Sequence, residues 1–373
     1  GEWKTMIAAG GTGGHISPAL AIGERLGHVD SVCRVEFVCG MRPVEQDVYR
    51  KAGIEPTIME VHPLRKGPIG MFVNIRNMLR SLREARQILS RSRPEVVVGM
   101  GGYVCVPIVQ AAAGQGIPTL IHEQNSVAGR ANRWLSRRVR AIACAYEEAA
   151  RSFPSDKTQG TGNPVRPAFV GRDRNAALER WRFRSDRPTV LIFGGSQGAQ
   201  RLNACVLDSL PMLEKQTAPP GGIQLLWACG ERNYEDLKAR VEAGDFTQLD
   251  VRLLPFIEEM GLAYAAADLA VSRAGAMTLA ELTANALPAI VVPLPGATAG
   301  HQYGNARPFA EAGALEVVEE ERLDGGILAE KITAWLSDSS RMEAMREAAR
   351  REGKPHAVEE IVKIILQLRA EIA

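Results

Sequence analysis

The chain has no apolar run near the roughly 20 residues that cross a bilayer, which excludes a spanning helix. It has six cysteines but no C-x-x-C and no zinc spacing, and its size makes a disulfide framework unnecessary. Buried thiols in a reducing compartment are the expectation, and with no signal-peptide pattern ahead of the first strand the cytoplasm is the expected setting. There is no Gly-Lys-Ser/Thr after a glycine loop, so no Walker loop, and no Asp-x-Asp or His/Asp/Glu cluster at metal-ligand spacing. No metal and no cofactor are expected. Aromatics are 5% of the residues and the formal net charge is only +2, which argues against nucleic acid as a partner. Low-complexity segments and short repeats are absent as well.

Present instead are two glycine-rich loops at corresponding places in two halves of the 373 residues. Gly10-Gly11-Thr12-Gly13-Gly14-His15 follows the apolar run Met6–Ala9, and Gly194-Gly195-Ser196-Gln197-Gly198 follows Thr189–Phe193. Each reads as strand, tight turn, helix start, a geometry that turns backbone N–H groups at the positive end of a helix toward an anion. Two such loops imply two phosphate-bearing ligands, or one held between similar domains. Ile16 stands where a dinucleotide fingerprint has its third glycine, which weakens an NAD reading of the first loop.

Apolar β-branched runs alternate with helical patterns throughout. Strands are predicted near 5–9, 34–39, 56–60, 95–99, 118–122 and 140–144, then near 188–193, 223–228, 250–254, 268–271, 289–292 and 315–318. A helix is predicted over 17–27, with Ser17 as N-cap and Pro18 at its first position. This alternation specifies α/β architecture with parallel sheets covered on both faces. The pattern restarts at the second glycine loop, so two Rossmann-like domains are expected, 1–163 and 164–355, facing each other across a cleft at the carboxyl ends of their strands. The connector is the Gly/Pro-rich stretch 160–167, and the helix predicted over 356–370 rejoins the first domain through Ile361, Ile364, Ile365 and Leu368.

Other polar segments sit where strands end. Gly99-Met100-Gly101-Gly102-Tyr103 is either a tight βα turn or another anion loop. His122-Glu123-Gln124-Asn125-Ser126 suits hydrogen bonding to a sugar or capping of a helix. His15 is either a capping residue or a general base. In the second half, Ser272–Glu281 places small residues at a helix start, with Glu281 one turn on, able to accept both hydroxyls of a ribose or simply to lie on a surface. Residues 62–93 carry eight Arg/Lys against one acid, and Phe72, Ile75, Leu79 and Leu82 share one helical face. Core packing accounts for such a stripe but not for the arginines; an amphipathic basic helix at an anionic lipid surface accounts for both. Arg130, Arg133, Arg137, Arg138 and Arg140 around Trp134 form a second basic cluster.

Taken in order, Gly10–His15, Gly99–Tyr103, His122–Ser126, Gly162–Arg166, Gly194–Gly198, Pro255-Phe256-Ile257, Arg273–Glu281 and His301–Ala306 resemble the motifs of the MurG family of GT-B glycosyltransferases over nearly the whole chain. The resemblance implies transfer of N-acetylglucosamine from UDP-N-acetylglucosamine to the C4 hydroxyl of an undecaprenyl-diphosphate-linked muramoyl-pentapeptide (lipid I), inverting and without a metal. It implies His15 as base. It implies donor contacts from Thr12, Gly13, Gly14, Asn125, Arg166, Ser196, Ile257, Ala276, Met277, Thr278, Leu279, Ala280, Glu281 and Gln302. The acceptor diphosphate would meet Gly13, Gly14, Gly101, Gly102 and Tyr103. Ile69, Phe72, Ile75, Arg76, Leu79, Arg80, Leu82 and Arg83 would form a patch docking the protein on the anionic cytoplasmic face of the inner membrane as a peripheral protein, with cell-wall synthesis proteins as further partners. The segment 295–301 departs from the pattern of many members, with His301 where some have a second Gln. A UDP-sugar 2-epimerase of the same architecture, or a non-catalytic membrane-recruited nucleotide-binding scaffold, are the competing readings.

Overall fold

The computed structural model describes residues 2–371 apart from 12, 65, 196–198, 217–220 and 297–300. The chain divides into two compact units, Gly1–Arg166 together with His356–Ala373, and Pro167–Pro355.

Unit 1 runs β1 (Trp3–Ala9), α1 (Gly13–Val29), β2 (Cys33–Cys39), α2 (Pro43–Lys51), β3 (Thr57–Ile58), α3 (Pro68–Ser92), β4 (Val96–Gly101), α4 (Cys105–Gly114), β5 (Thr119–Glu123), α5 (Arg130–Leu135), β6 (Ala141–Cys144), α6 (Glu147–Ala150) and β7 (Thr158–Gly160). Its seven strands are ordered β3-β2-β1-β4-β5-β6-β7, with every pairing parallel. Side chains alternate across the sheet as a period of two requires. Ile7, Phe37, Val98 and Leu120 pack with α1 on one face, while Met6, Val38, Val97 and Ile121 pack with α3, α4 and α5 on the other.

Unit 2 runs α7 (Arg174–Trp181), β8 (Thr189–Phe193), α8 (Gln200–Glu214), β9 (Ile223–Ala228), α9 (Glu231–Glu242), β10 (Leu249–Leu254), α10 (Met260–Ala266), β11 (Leu269–Ser272), α11 (Ala276–Ala284), β12 (Ala289–Val291), α12 (His301–Glu311), β13 (Glu316–Val317), α13 (Gly325–Ser337) and α14 (Ser339–Glu352). Its parallel sheet has the order β10-β9-β8-β11-β12-β13. The last helix, α15 (Ala357–Ala370), belongs to unit 1 and buries Val358, Ile361, Val362, Ile364, Ile365 and Leu368 in the same core as α1.

In both sheets the strand order reverses once, between β1 and β4 and between β8 and β11. Loops on either side of such a reversal diverge and leave room at the carboxyl ends of the strands, which is where doubly wound folds bind ligands. The glycine loops predicted from sequence lie at these two points.

Two local expectations need correction. The first helix does not start at Ser17: α1 begins at Gly13, directly on the glycine loop, and Pro18 lies inside it. Pro18 removes one N–H from the helical ladder near its start, a modest loss compared with the packing of Ile16, Ala19, Leu20 and Ile22 into the core. The strand β7 was not foreseen, because Thr158-Gln159-Gly160 lacks an apolar pattern; it is held as an edge by its pairing to β6.

Candidate active site

In unit 1 three loops converge at the ends of β1, β4 and β5. Their glycines are set by close approach. The Gly10 N–H donates to the Gly101 carbonyl (3.3 Å). A methyl group on Gly102 (φ +84°) would stand 2.7 Å from the Gly10 carbonyl oxygen, and one on Gly101 (φ +121°) 2.7 Å from the His15 ring. Gly11 donates its N–H to the Glu45 carboxylate (2.8 Å), whose other oxygen accepts from Gly40 (2.7 Å). The first two amides of the glycine loop, read from sequence as bare donors, are therefore already taken inside the fold. The N–H groups left for an anion are those of the first turn of α1, where Gly13 and Gly14 stand and no helical acceptor exists. Thr12 lies outside the described residues.

Glu45 was missed in the sequence. It is 4% exposed on α2, and its one signal was an acid in the first turn of a helix following Gly40. Tyr49, one turn on, is fully buried and donates its hydroxyl to the Ala9 carbonyl (3.0 Å), tying the end of β1 to the same helix.

His15 is half-buried on α1, and its Nδ1 lies 3.1 Å from Gln124 Oε1. Desolvation pushes its pKa below the ordinary value, against the Gln124 hydrogen bond, the Glu123 charge and the Met100 carbonyl, which favour the charged ring. Gln124 is buried and donates from Nε2 to the Met100 carbonyl (2.8 Å) and toward His122 Nδ1 (3.1 Å). His122 Nε2 meets the Gly162 carbonyl at 3.0 Å. Burial lowers the His122 pKa to about 4, so this ring is neutral at pH 7. Glu123 is a buried staple for the following loop, accepting from the Asn125 N–H (3.0 Å), the Gly129 N–H (2.9 Å) and Asn132 Nδ2 (2.8 Å). Asn125 is thereby held half-buried at the loop's start, and Tyr103, in the turn after β4, is exposed.

The connector 160–167 does more than join units. Thr161 and Asn163 are buried, and Asn163 Nδ2 donates to the Gln124 carbonyl (3.0 Å). Together with the Gly162 carbonyl it braces the His122–Gln124 segment. Arg166 directs Nε to Glu24 of α1 (3.2 Å).

In unit 2, Ser196 lies outside the described residues, and Gly195 holds a positive φ (+94°) just before it. The α11 helix opens from Gly275 in extended conformation, which exposes the first-turn amides of Ala276, Met277 and Thr278. Leu279 does not join them: its N–H donates to the Gly275 carbonyl (3.0 Å) and its side chain is fully buried in the core. Ala280 is half-buried. Glu281, 8% exposed, is no surface carboxylate; it accepts a short hydrogen bond from the buried Tyr264 hydroxyl of α10. Gln302 at the start of α12 accepts at Oε1 from the Ala274 N–H (3.2 Å) and the Leu294 N–H (2.9 Å). Its carbonyl is thus occupied holding two loops together, so its NH₂ is the end not used in these two bonds. Ile257 is buried in the core and fixes the backbone after β10.

The basic stripe of α3 splits in two. Phe72 is 73% exposed, and Met71, Ile75 and Leu79 are each more than half exposed, with Arg76, Arg80 and Arg83 exposed among them. Leu82, expected in that patch, instead packs partly buried with Ala85 and Leu89 against the sheet, because it lies on the helix's inner face. The side chain of Ile69 lies outside the described set. Among the described residues no helix is long and apolar enough to cross a membrane, and no group of three His, Cys, Asp or Glu is placed to hold a metal ion. All six cysteines are free and buried.

Residues 5–144 match the glycosyltransferase family 28 N-terminal domain, and residues 189–361 match the family 28 C-terminal domain. A UDP-N-acetylglucosamine–N-acetylmuramyl-(pentapeptide) pyrophosphoryl-undecaprenol N-acetylglucosamine transferase of Limosilactobacillus reuteri is 37% identical over 365 residues, 97% of either chain. The crystal structure of Acinetobacter baumannii MurG is similar at a TM-score of 0.75 and 30% identity, covering 98% of this chain and all of that one. A putative UDP-N-acetylglucosamine 2-epimerase of Listeria monocytogenes, at a TM-score of 0.68 but 14% identity over 100% of this chain and 98% of that one, shares the fold alone. The two nucleotide-type sheets and both matched domains make this a GT-B fold, and the chain belongs to glycosyltransferase family 28, in its MurG branch.

Proposed function

We propose that this enzyme transfers N-acetylglucosamine from UDP-N-acetylglucosamine to the C4 hydroxyl of undecaprenyl-diphospho-N-acetylmuramoyl-pentapeptide, converting lipid I to lipid II in peptidoglycan synthesis. The observation that carries the donor half is the arrangement at α11. First-turn amides at 276–278 suit a diphosphate, and the buried Glu281, held by Tyr264, suits a ribose diol. Gln302 offers donors to sugar hydroxyls. Arg166, Ser196 and the Ile257 backbone complete the donor contacts on the family pattern, with Asn125 directed to the sugar.

In the reaction the acceptor oxygen bonds to the anomeric carbon as the bond from that carbon to the diphosphate breaks, with inversion. The hydroxyl proton passes to His15, which is neutral at pH 7 because its pKa lies below the ordinary histidine value. UDP departs with the electron pair, its charge met by helix N-termini in place of a metal. The start of α1 and the 101–103 turn receive the acceptor's diphosphate. The exposed Phe72, Ile75 and Leu79 among Arg76, Arg80 and Arg83 dock unit 1 on an anionic membrane surface, on the cytoplasmic side where a nucleotide sugar is at hand.

Radiolabelled UDP-N-acetylglucosamine with a lipid I analogue tests this reading. Label should enter the lipid product equally with and without EDTA, and UDP should appear only when acceptor is present. Release of UDP without acceptor, with an epimerised sugar as product, would establish the 2-epimerase reading instead.

A further inference from the structure

We infer that Gln124 is a positioning residue that fixes the tautomer of His15, so that Nδ1 carries the proton and Nε2 is the basic nitrogen. The inference rests on His15 acting as the base, and it adds which of its two nitrogens acts and what decides it.

The argument follows donors and acceptors along one buried chain of contacts in unit 1. Gln124 lies 2.8 Å from the Met100 carbonyl, an atom that only accepts, so the amide end facing it is the NH₂. This orientation sends Oε1 to His15 Nδ1 at 3.1 Å. An amide oxygen only accepts, so Nδ1 must donate. The second Gln124 hydrogen points between His122 Nδ1 at 3.1 Å and the His122 carbonyl at 3.3 Å, and the Nδ1 contact calls for a lone pair there. His122 supplies it, because its Nε2 is committed as donor to the Gly162 carbonyl at 3.0 Å. Each step therefore has one consistent assignment, anchored at both ends by backbone carbonyls that cannot change role. Flipping the Gln124 amide would set oxygen against the Met100 oxygen and NH₂ against His15, and a buried mismatch of that kind is costly.

The position of the ring is fixed as well as its tautomer. Gly101 leaves room for the imidazole, since a Cβ there would stand 2.7 Å from His15 Cε1 and Nδ1. Asn163 holds the Gln124 backbone carbonyl at 3.0 Å. A base must present a lone pair to the proton it removes, and a free imidazole exchanges between tautomers. This chain of contacts removes the unproductive one before substrate arrives.

The test begins with the unsubstituted protein. Long-range ¹H–¹⁵N correlation on ¹⁵N-histidine-labelled enzyme, with His15 assigned by comparison with His15→Asn, reads which ring nitrogen bears hydrogen. Nδ1–H supports the inference; an Nε2–H tautomer overturns it. In Gln124→Met, which keeps the volume and loses the acceptor, the His15 signals should move toward a tautomer mixture. The kcat should fall by about tenfold or more, with KM for UDP-N-acetylglucosamine within threefold. Gln124→Glu keeps an acceptor for Nδ1 but sets its second oxygen against the Met100 carbonyl, so it should recover only part of kcat, and the nearby charge should move the acid limb of the rate profile, which the base's pKa sets, to higher pH. Unchanged kcat in a folded Gln124→Met overturns the assignment. Full turnover in His15→Ala would instead remove His15 as base, a separate failure that leaves the tautomer measurement standing.

Discussion

The carboxylate of Glu45 holds the N–H of Gly11 at 2.8 Å, and through its second oxygen the N–H of Gly40 at 2.7 Å. One buried acid thereby locks the glycine turn after β1 to the end of β2. Glu45→Gln places an NH₂ against one of these amides, leaving two donors facing each other. Loss of about 1–3 kcal/mol is expected, seen as a Tm lowered by about 3–9 °C for a unit of this size. Thermal melts check it; an unchanged Tm would mean that the turn holds without this clasp.

Gly101→Ala should separate catalysis from donor binding. The new methyl meets the His15 ring at 2.7 Å at a φ of +121°, which side chains rarely adopt. Turnover is expected to drop by about tenfold or more, on the scale of a displaced general base. UDP affinity measured by calorimetry should stay the same, since the donor groups argued above are mainly in unit 2.

Tyr264 donates to Glu281 from a fully buried position, and burial beside that carboxylate pushes its phenol pKa well up, so it remains a donor through any working pH. Tyr264→Phe frees the carboxylate from its brace. KM for UDP-N-acetylglucosamine should rise by about 3–10-fold, the net worth of one ordinary hydrogen bond, since Tyr264 braces the carboxylate and does not itself bind the ligand, with kcat changed less. Initial-rate kinetics decide: a fall in kcat alone would place Glu281 outside donor binding.

Replacing Phe72 and Leu79 together by serine should leave stability within about 0.5 kcal/mol, because both are exposed. Cosedimentation with phosphatidylglycerol vesicles should weaken several-fold, and residual binding should fall further with salt. Equal binding by the double variant would locate membrane contact elsewhere.

The pKa of His122 sits at about 4 in the folded chain and near 6.5 when unfolded. Below pH 6.5 the unfolded chain gains a proton that the folded chain refuses until about pH 4, so stability falls as pH drops through that window. The total is roughly 3 kcal/mol, and His15, also lowered, adds in the same direction. Urea melts between pH 7 and 4 should show this slope, and His122→Gln should flatten it.

Much of the fold was open to inspection in the residues themselves. Continuous apolar runs such as Thr189–Phe193 and Val96–Val98 are buried on both faces, and their β-branched-rich composition and length mark them as central parallel strands. The helix at 357–370 announced itself through Ile361, Ile364, Ile365 and Leu368. What stayed hidden were relations between distant residues. Nothing near Glu45 tells that Gly11, 34 positions away, needs an acceptor. Nor does the 160–167 stretch, half of it glycine and proline, declare that Asn163 and Gly162 brace a glutamine and a histidine 39 and 40 positions back. Local pattern determines elements; side-chain hydrogen bonds across elements depend on where the sheet brings their ends. For the same reason Leu82 looked equivalent to Phe72 on a helical wheel, and only packing against the sheet tells the wet side from the dry one.

The placement of α15 bears on how the protein is made. Its six apolar side chains complete the core around α1, yet they are synthesised after the whole of Pro167–Pro355. At about 5–20 residues per second the ribosome needs some 10–40 s to bridge that interval. During that time the nascent first half carries an open greasy face, while the second half is free to fold first. Chaperone demand should therefore peak late in translation, and nonsense lesions near residue 355 should harm the first-made part of the polypeptide most.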